Sequence, residues 1–192
     1  MSKPIKPLTI RPVAGERIYL RRLLVTDVAE DYLAWLRDDE VVSYLELRFA
    51  HHTLESLRHY VIGGMAARDK LLLGIFLKDQ DRHIGNISLN WIDWNHYWAD
   101  VGIMIGDKTC WRQGLGTESV GLIKETAFGS LGLHRLAAGI YSNNVGCIKA
   151  FSRAGFEPEA RLVGKRLHRS VFVDEIWMSC FNPEFDLKDA HS

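Results

Sequence analysis

The stretch from Val101 to Ser119, VGIMIGDKTCWRQGLGTES, holds the pattern that decides the fold. A strand-like apolar segment runs into a turn marked by Gly114 and Gly116, and a helical pattern follows. Glycine lets the main chain approach a ligand, and the first turn of a helix presents unpaired N–H groups and the positive end of its dipole. The stretch therefore predicts an anion site with backbone donors from residues 113–117.

The spacing of these glycines excludes two common nucleotide-binding motifs. The chain has neither G-x-G-x-x-G nor a G-K-[ST] at P-loop spacing in this stretch. The sequence therefore supports neither a dinucleotide-dependent dehydrogenase nor a P-loop kinase.

Composition indicates one soluble globular domain. The 192 residues are 47% hydrophobic and 25% charged, which is typical of a packed domain of ordinary size. Lys plus Arg equals Asp plus Glu at 24 each, so no overall field attracts nucleic acid or an anionic membrane, and we expect neither partner. The three cysteines form no CxxC pair, which favours free thiols and a cytoplasmic location.

Hydrophobic periodicity predicts an α/β domain over residues 15–183, between flexible termini at 1–14 and 184–192. The predicted order is β-α-α-β-β-β-α-β-α-β-β, a mixed sheet with helices on its faces. The predicted strands cover 16–22, 71–78, 83–92, 97–105 and 135–141, with a closing hairpin over 161–181. The predicted helices follow an Asp27-x-x-Glu30 box and a Thr53 cap, and cover 114–131 and 144–154.

A second motif follows the predicted strand 135–141. It has the form N-x-x-[SA]-x-x-x-[YF]-x-[KR]-x-G-F, with Cys in the small position, and its residues are Asn144, Cys147, Phe151, Arg153, Gly155 and Phe156. The glycine turn fits the pattern [QR]-x-x-G-x-[GA], except that Trp111 replaces the first residue. With both motifs at this spacing, most of the chain resembles the GNAT superfamily of N-acetyltransferases, and within it the ribosomal-protein alanine acetyltransferase branch.

The resemblance implies a single-domain GNAT fold, with a mostly antiparallel sheet of six to seven strands and about four helices. It also implies acetyl-CoA as the acetyl donor, with its arm in a slot between Val101–Ile105 and Leu136–Tyr141. A backbone N–H near Ile103–Ile105 would polarise the thioester carbonyl during direct attack by the amine. The cofactor contacts implied are Ile103, Met104, Ile105, Arg112, Gln113, Gly114, Leu115, Gly116, Thr117, Asn144, Lys149, Phe151 and Arg153.

Acetyl transfer requires a group that removes a proton, because a primary amine is mostly protonated near neutral pH. Asp100 is the first candidate base, since related enzymes often carry Glu at this place on the strand; the alternative is a structural carboxylate. The family's usual proton donor is a Tyr at the position of Phe151, which carries no exchangeable proton. Cys147 or Ser152 is a candidate substitute, and a buried packing role is the alternative for Cys147. Coenzyme A could also leave as a thiolate that the helix terminus stabilises, and take its proton from water.

The acceptor side is less defined. Four residues around one turn, Trp91, Trp94, His96 and Tyr97, are candidate acceptor contacts, with a surface or core role as the alternative. Glu159, Asp174 and Glu175 are further carboxylates expected on this side. The stretch Lys165–Arg169 is interpreted as a solvated turn or as a contact for an acidic acceptor. The His51–His52 pair lacks partners at ligand spacing, so no metal site is expected.

Three functions fit this reading. The first is acetylation of a small amine or of an amino sugar carried on a nucleotide. The second is acetylation of protein N-termini of the ribosomal-protein type, and the third is a non-catalytic module that binds acyl-CoA. A homodimer is a family-level expectation.

Overall fold

The computed structural model describes residue 8 and residues 10–187, and within them one eight-stranded sheet carries four α-helices. The strands are β1 (Val13–Ala14), β2 (Ile18–Arg22), β3 (Leu71–Leu77), β4 (Arg82–Asp93), β5 (Trp98–Ile105), β6 (Arg135–Tyr141), β7 (Glu157–His168) and β8 (Val171–Phe181). The helices are α1 (Glu30–Arg37), α2 (Leu54–Ala66), α3 (Leu115–Glu125) and α4 (Val145–Arg153). No helix of the described part is long and apolar enough to cross a membrane.

The sheet has one strand more than the upper limit of six to seven that we predicted. The additional strand is β1, in which Val13 and Ala14 pair with Leu20 and Tyr19 of β2. Two residues are too few to show a period, so hydrophobic patterning does not detect such a strand. From β2 onward the order of strands and helices is the predicted one. The predicted flexible termini were 1–14 and 184–192; of these, residues 13–14 form β1, and residues 1–7, 9 and 188–192 lie outside the described residues.

The helix boundaries show which local signals are reliable. Thr53 caps α2 as predicted, because its hydroxyl accepts a hydrogen bond from Ser56 N at 3.1 Å. Asp27 does not cap α1, which begins after Ala29. Its carboxylate instead pairs with the Arg21 guanidinium at 2.7 Å and accepts the Leu24 N–H at 2.7 Å, at the 3-10 turn that precedes α1.

Alternate residues of the central strands divide between two faces of the sheet, as the pleat requires. Ala99 and Val101 of β5 pack into the core with Val120 and Ile123 of α3, on what we call the α3 face. Met104 packs with residues of α1 and α2 on the opposite face, the α1 face. Asp100 and Gly102 share the α1 face with Met104 because they are two residues apart along the strand.

β5 and β6 separate partway along their length. Their parallel pairing covers three positions and ends where Asp100 is opposite Ala137. β5 then continues to Ile105 and β6 to Tyr141 without pairing with each other, while every other neighbouring strand pair is antiparallel. The unpaired backbone on both sides forms a cleft, in the place that the resemblance implies for the acyl carrier's arm.

Candidate active site

The glycine turn after β5 has the geometry of an anion cradle. Gly114 has φ of +82°, a left-handed conformation that costs a side chain-bearing residue about 1 kcal/mol. It is the residue directly before α3, so the free N–H groups of the first helical turn follow it. A Cβ on Gly116 would meet no heavy atom within 4 Å, which leaves open space in front of these donors.

A cavity of about 650 Å³ opens in front of this turn. Its walls come from the end of β5, the turn, α4 and the segment 40–45. All the predicted cofactor residues except Gln113 and Phe151 line it: Ile103, Met104, Ile105, Arg112, Gly114, Leu115, Gly116, Thr117, Asn144, Lys149 and Arg153. Sequence reasoning missed Arg169 and the 40–45 segment on the same walls, because they come from distant parts of the chain.

The two exceptions have other partners. Gln113 donates its amide to Thr109 O at 2.6 Å and accepts Arg17 Nη1 on its carbonyl at 2.8 Å. Phe151 is 1% exposed and packs edge-on against Phe156, with the ring centroids 4.9 Å apart. The ring of Phe151 is thus sealed in the core and does not line the cavity.

The cavity is rich in positive charge although the whole chain is neutral. Arg112, Lys149, Arg153 and Arg169 line it against one carboxylate, that of Glu40. The concentration of cations beside a helix N-terminus suits phosphate groups. The positive charge of this anion site is thus a local concentration of cations, since the whole chain has no net charge.

Trp111, which departs from the family's loop pattern, has a structural role. Its indole Nε1 donates to Ile105 O at 2.8 Å, and its ring packs against the α1-face core. The contact fixes the turn to the last residue of β5. The carbonyl of Ile105 is therefore engaged within the protein.

Asp100 lies where β5 and β6 separate, on the α1 face. Its side chain is half-buried, and no described residue donates a hydrogen bond to its carboxylate. Burial, and after it the negative charge of Glu175, raise the pKa of Asp100 to about 6, against the opposing effect of Arg166 and Lys165. A carboxyl group with this pKa is mostly ionised at neutral pH and still a useful proton acceptor.

Glu175 is buried beside this position, with no exposed side-chain surface. Burial works to raise its pKa, but hydrogen bonds from Lys165, Trp177 and Arg166 outweigh burial and lower it. Lys165 Nζ and Trp177 Nε1 lie 2.5 and 2.7 Å from Oε2, and Arg166 contacts Oε1. The interpretation of 165–169 as a solvated turn is thus corrected: Lys165 and Arg166 lie within β7 and neutralise a buried carboxylate.

A network that we call the roof joins the 43–48 segment, part of which lines the cavity, to the two strands β6 and β7. Ser43 Oγ lies 2.8 Å from His168 Nε2, and the ring of Tyr44 stacks on His168 with centroids 4.6 Å apart. Arg48 Nη2 donates to Leu167 O at 2.6 Å and to Tyr141 Oη at 2.9 Å. These contacts join the 43–48 segment to β7 and β6. No local sequence motif predicts them, because the partners are far apart in the chain.

The four predicted acceptor contacts lie at the other end of β5 from the glycine turn. Trp91 is 69% exposed, Trp94 donates its indole N–H to Arg68 O at 2.9 Å, and His96 pairs with Asp93. The ring of Tyr97 packs against Phe185. None of the four lines the cavity.

Cys147 does line the cavity, but burial raises the pKa of its thiol to about 12. A coenzyme A thiol resembles a free cysteine, whose pKa is about 8.5, so proton transfer from Cys147 to its thiolate is uphill. The chemistry therefore favours the packing role over the role of proton donor.

We expect Cys147→Ala to keep kcat within about tenfold of wild type, whereas loss of a general acid costs about 100-fold or more. Cys180→Ala, which removes a thiol with a similarly raised pKa from β8, is the matched control for loss of buried volume. A fall of 100-fold in the first variant alone, in steady-state assays, would restore Cys147 to the mechanism.

Comparison with known proteins identifies the class that this fold and cleft define. A family model described as acetyltransferase (GNAT) domain matches residues 17–157. The chain belongs to the GNAT N-acetyltransferase family. It is 29% identical over 176 residues to the probable N-acetyltransferase YjcK of Bacillus subtilis, covering 88% of this chain and 97% of that protein.

Solved structures share the fold at low identity. A spermidine N-acetyltransferase from Vibrio cholerae, in complex with CoA and spermine, has a TM-score of 0.78 at 18% identity, over 88% of this chain and 98% of that one. A ribosomal-protein-S5-alanine acetyltransferase from Vibrio fischeri has a TM-score of 0.79 at 16% identity, over 92% and 100%. These two likenesses bear on the fold alone.

Proposed function

We propose that this N-acetyltransferase moves the acetyl group of acetyl-CoA onto a primary amine of a small molecule, with Asp100 as the base. The observation that carries the proposal is the position of Asp100, half-buried and without a hydrogen-bond donor, where β5 and β6 separate.

The cavity fits the acyl carrier. The backbone N–H groups of residues 114–117 and the side chains of Arg112, Lys149 and Arg153 provide donors and charge for a diphosphate. The free backbone edges of β5 and β6 beyond Asp100 suit an extended amide-containing arm. When bound, acetyl-CoA supplies an activated acetyl group, and the protein supplies position and proton transfer.

Asp100 supports proton removal above its pKa of about 6. Below that value the carboxyl group is protonated and accepts no proton from the ammonium group of the acceptor. We therefore expect kcat/KM to fall tenfold per pH unit below about pH 6, which a pH–rate profile tests. A flat profile between pH 5 and 8 contradicts the assignment.

The roof supports a small acceptor rather than a protein N-terminus. A peptide needs an open groove, whereas Ser43 and Arg48 join the 43–48 segment to His168 and Leu167, on the side where we place the acceptor. A polyamine is one such small amine, and the spermidine N-acetyltransferase from Vibrio cholerae is in complex with spermine. An amino sugar carried on a nucleotide is the larger variant of the same class.

Thiol release from acetyl-CoA in the presence of an acceptor panel tests this choice. The panel holds spermidine, free amino sugars, a nucleotide-linked amino sugar, and peptides that begin with Ala or Ser. We expect at least one small amine to exceed every peptide about tenfold in kcat/KM, which is about 1.4 kcal/mol of transition-state binding. A peptide that leads the panel supports the N-terminal acetyltransferase, and no release with any amine supports the binding module.

A further inference from the structure

A row of small and polar residues crosses the α1 face beside Asp100. Asp100 is opposite Ala137 of β6, and Gly139 lies two residues further along that strand on the same face. On β8, Glu175 shares this face, because its neighbour Ile176 packs toward the α3-face core. The registers therefore bring two carboxyl groups to one face of the sheet, on the two strands that flank β6.

The glycine on β6 is what admits Glu175. A Cβ at Gly139 would lie 2.9 Å from Glu175 Oε1 and 3.4 Å from Oε2. The carboxylate thus folds over the backbone of β6, in the space that any other residue would fill. Since two residues of a strand span about 7 Å, this position lies close to the Asp100–Ala137 pair.

The charges that face Asp100 come from three parts of the chain. Asn90, opposite Asp100 on β4, is uncharged. β8 contributes Glu175, and β7 contributes Lys165 and Arg166, which bind it. The roof adds Glu46 and Arg48, which meet at the hydroxyl of Tyr141.

We propose that Glu175 is a positioning residue that, with Lys165, sets the proton affinity of Asp100. This inference rests on the proposed function, because it concerns the same base. The carboxylate of Glu175 repels a negative charge on Asp100, and Lys165 reduces that repulsion. Glu175 thus adds to burial in keeping Asp100 a stronger base than an ordinary aspartate, and Lys165 limits that effect.

The test is the acid limb of the kcat/KM profile in three variants. Glu175→Gln removes the repelling charge and leaves two cations, so we expect the limb to move about one pH unit lower. Lys165→Met removes a cation and should move the limb in the opposite direction. In the second variant Arg166 and Trp177 still bind the Glu175 carboxylate, so we expect it to fold even where the first does not. Glu125→Gln, at an exposed position of α3, is the control and should leave the limb in place.

Opposite shifts in the two variants support the proposal, since a purely structural role moves neither limb. Glu175→Asp, which keeps the charge, should restore the limb toward its wild-type position. If the limb disappears in Asp100→Asn but stays fixed in Glu175→Gln and Lys165→Met, the inference fails and the base assignment stands. If Asp100→Asn keeps the wild-type limb, the proposed base itself fails.

Discussion

Replacing Asp100 with Asn should lower kcat about 100- to 10,000-fold, the usual contribution of a general base, while the KM for acetyl-CoA changes little. The side chain keeps its size but no longer accepts a proton from the acceptor's ammonium group. Steady-state kinetics with the best amine of the panel measures the effect. Asp79→Asn, in an exposed turn, is the matched control and should behave as wild type.

The same variant should be more stable than wild type at pH 7. The folded-state pKa of Asp100, about 6, lies above its unfolded value, so ionisation opposes folding and stability is lost as pH rises through 6. Asparagine removes this term, a gain of up to about 3 kcal/mol that raises Tm. Lower activity together with lower stability contradicts this account, because it indicates a carboxylate that supports the fold.

Gly114→Glu should abolish detectable binding of coenzyme A, with at least a 100-fold rise in Kd. The change places a carboxylate where phosphate groups meet the amides of residues 114–117, and each charge-assisted hydrogen bond there contributes about 1.5 to 3 kcal/mol. Isothermal titration calorimetry measures the loss. We expect the fold to persist, because the strain at φ of +82° costs only about 1 kcal/mol.

The control is Gly132→Glu. Gly132 has φ of +65°, a Cβ there meets no heavy atom within 4 Å, and the residue does not line the cavity. This variant therefore introduces the same charge and the same backbone strain at a position outside the cavity. Equal losses of affinity in the two variants would show that strain, not the position of the charge, is responsible.

The sequence-based prediction of the fold and of the cavity depends on local signals. Strand alternation, the Thr53 cap and the two motifs place the cleft and most of the cavity wall, because each depends on residues near one another in the chain. Asp27 shows the limit of such signals. Its pattern fits a capping box, but Arg21 competes for the carboxylate from a neighbouring element.

Local signals did not predict the surroundings of Glu175 or the position of the aromatic turn. Glu175 is buried because Gly139, in another strand, leaves room for it and because β7 supplies two cations. The dense aromatic turn around Trp94 indicated a binding wall, whereas the structure places it at the far end of β5 from the glycine turn. The alternation of apolar and polar residues predicts which face of the sheet a strand residue occupies. It does not predict which distant strand lies beside that residue.

A crystal structure with coenzyme A bound is the most direct test of the central claim, that acetyl transfer takes place in the cleft between β5 and β6. We expect the diphosphate on the amides of residues 114–117 and the thiol where the strands separate, beside Asp100. A diphosphate bound elsewhere, or a thiol at the end of the cleft remote from Asp100, would contradict the account.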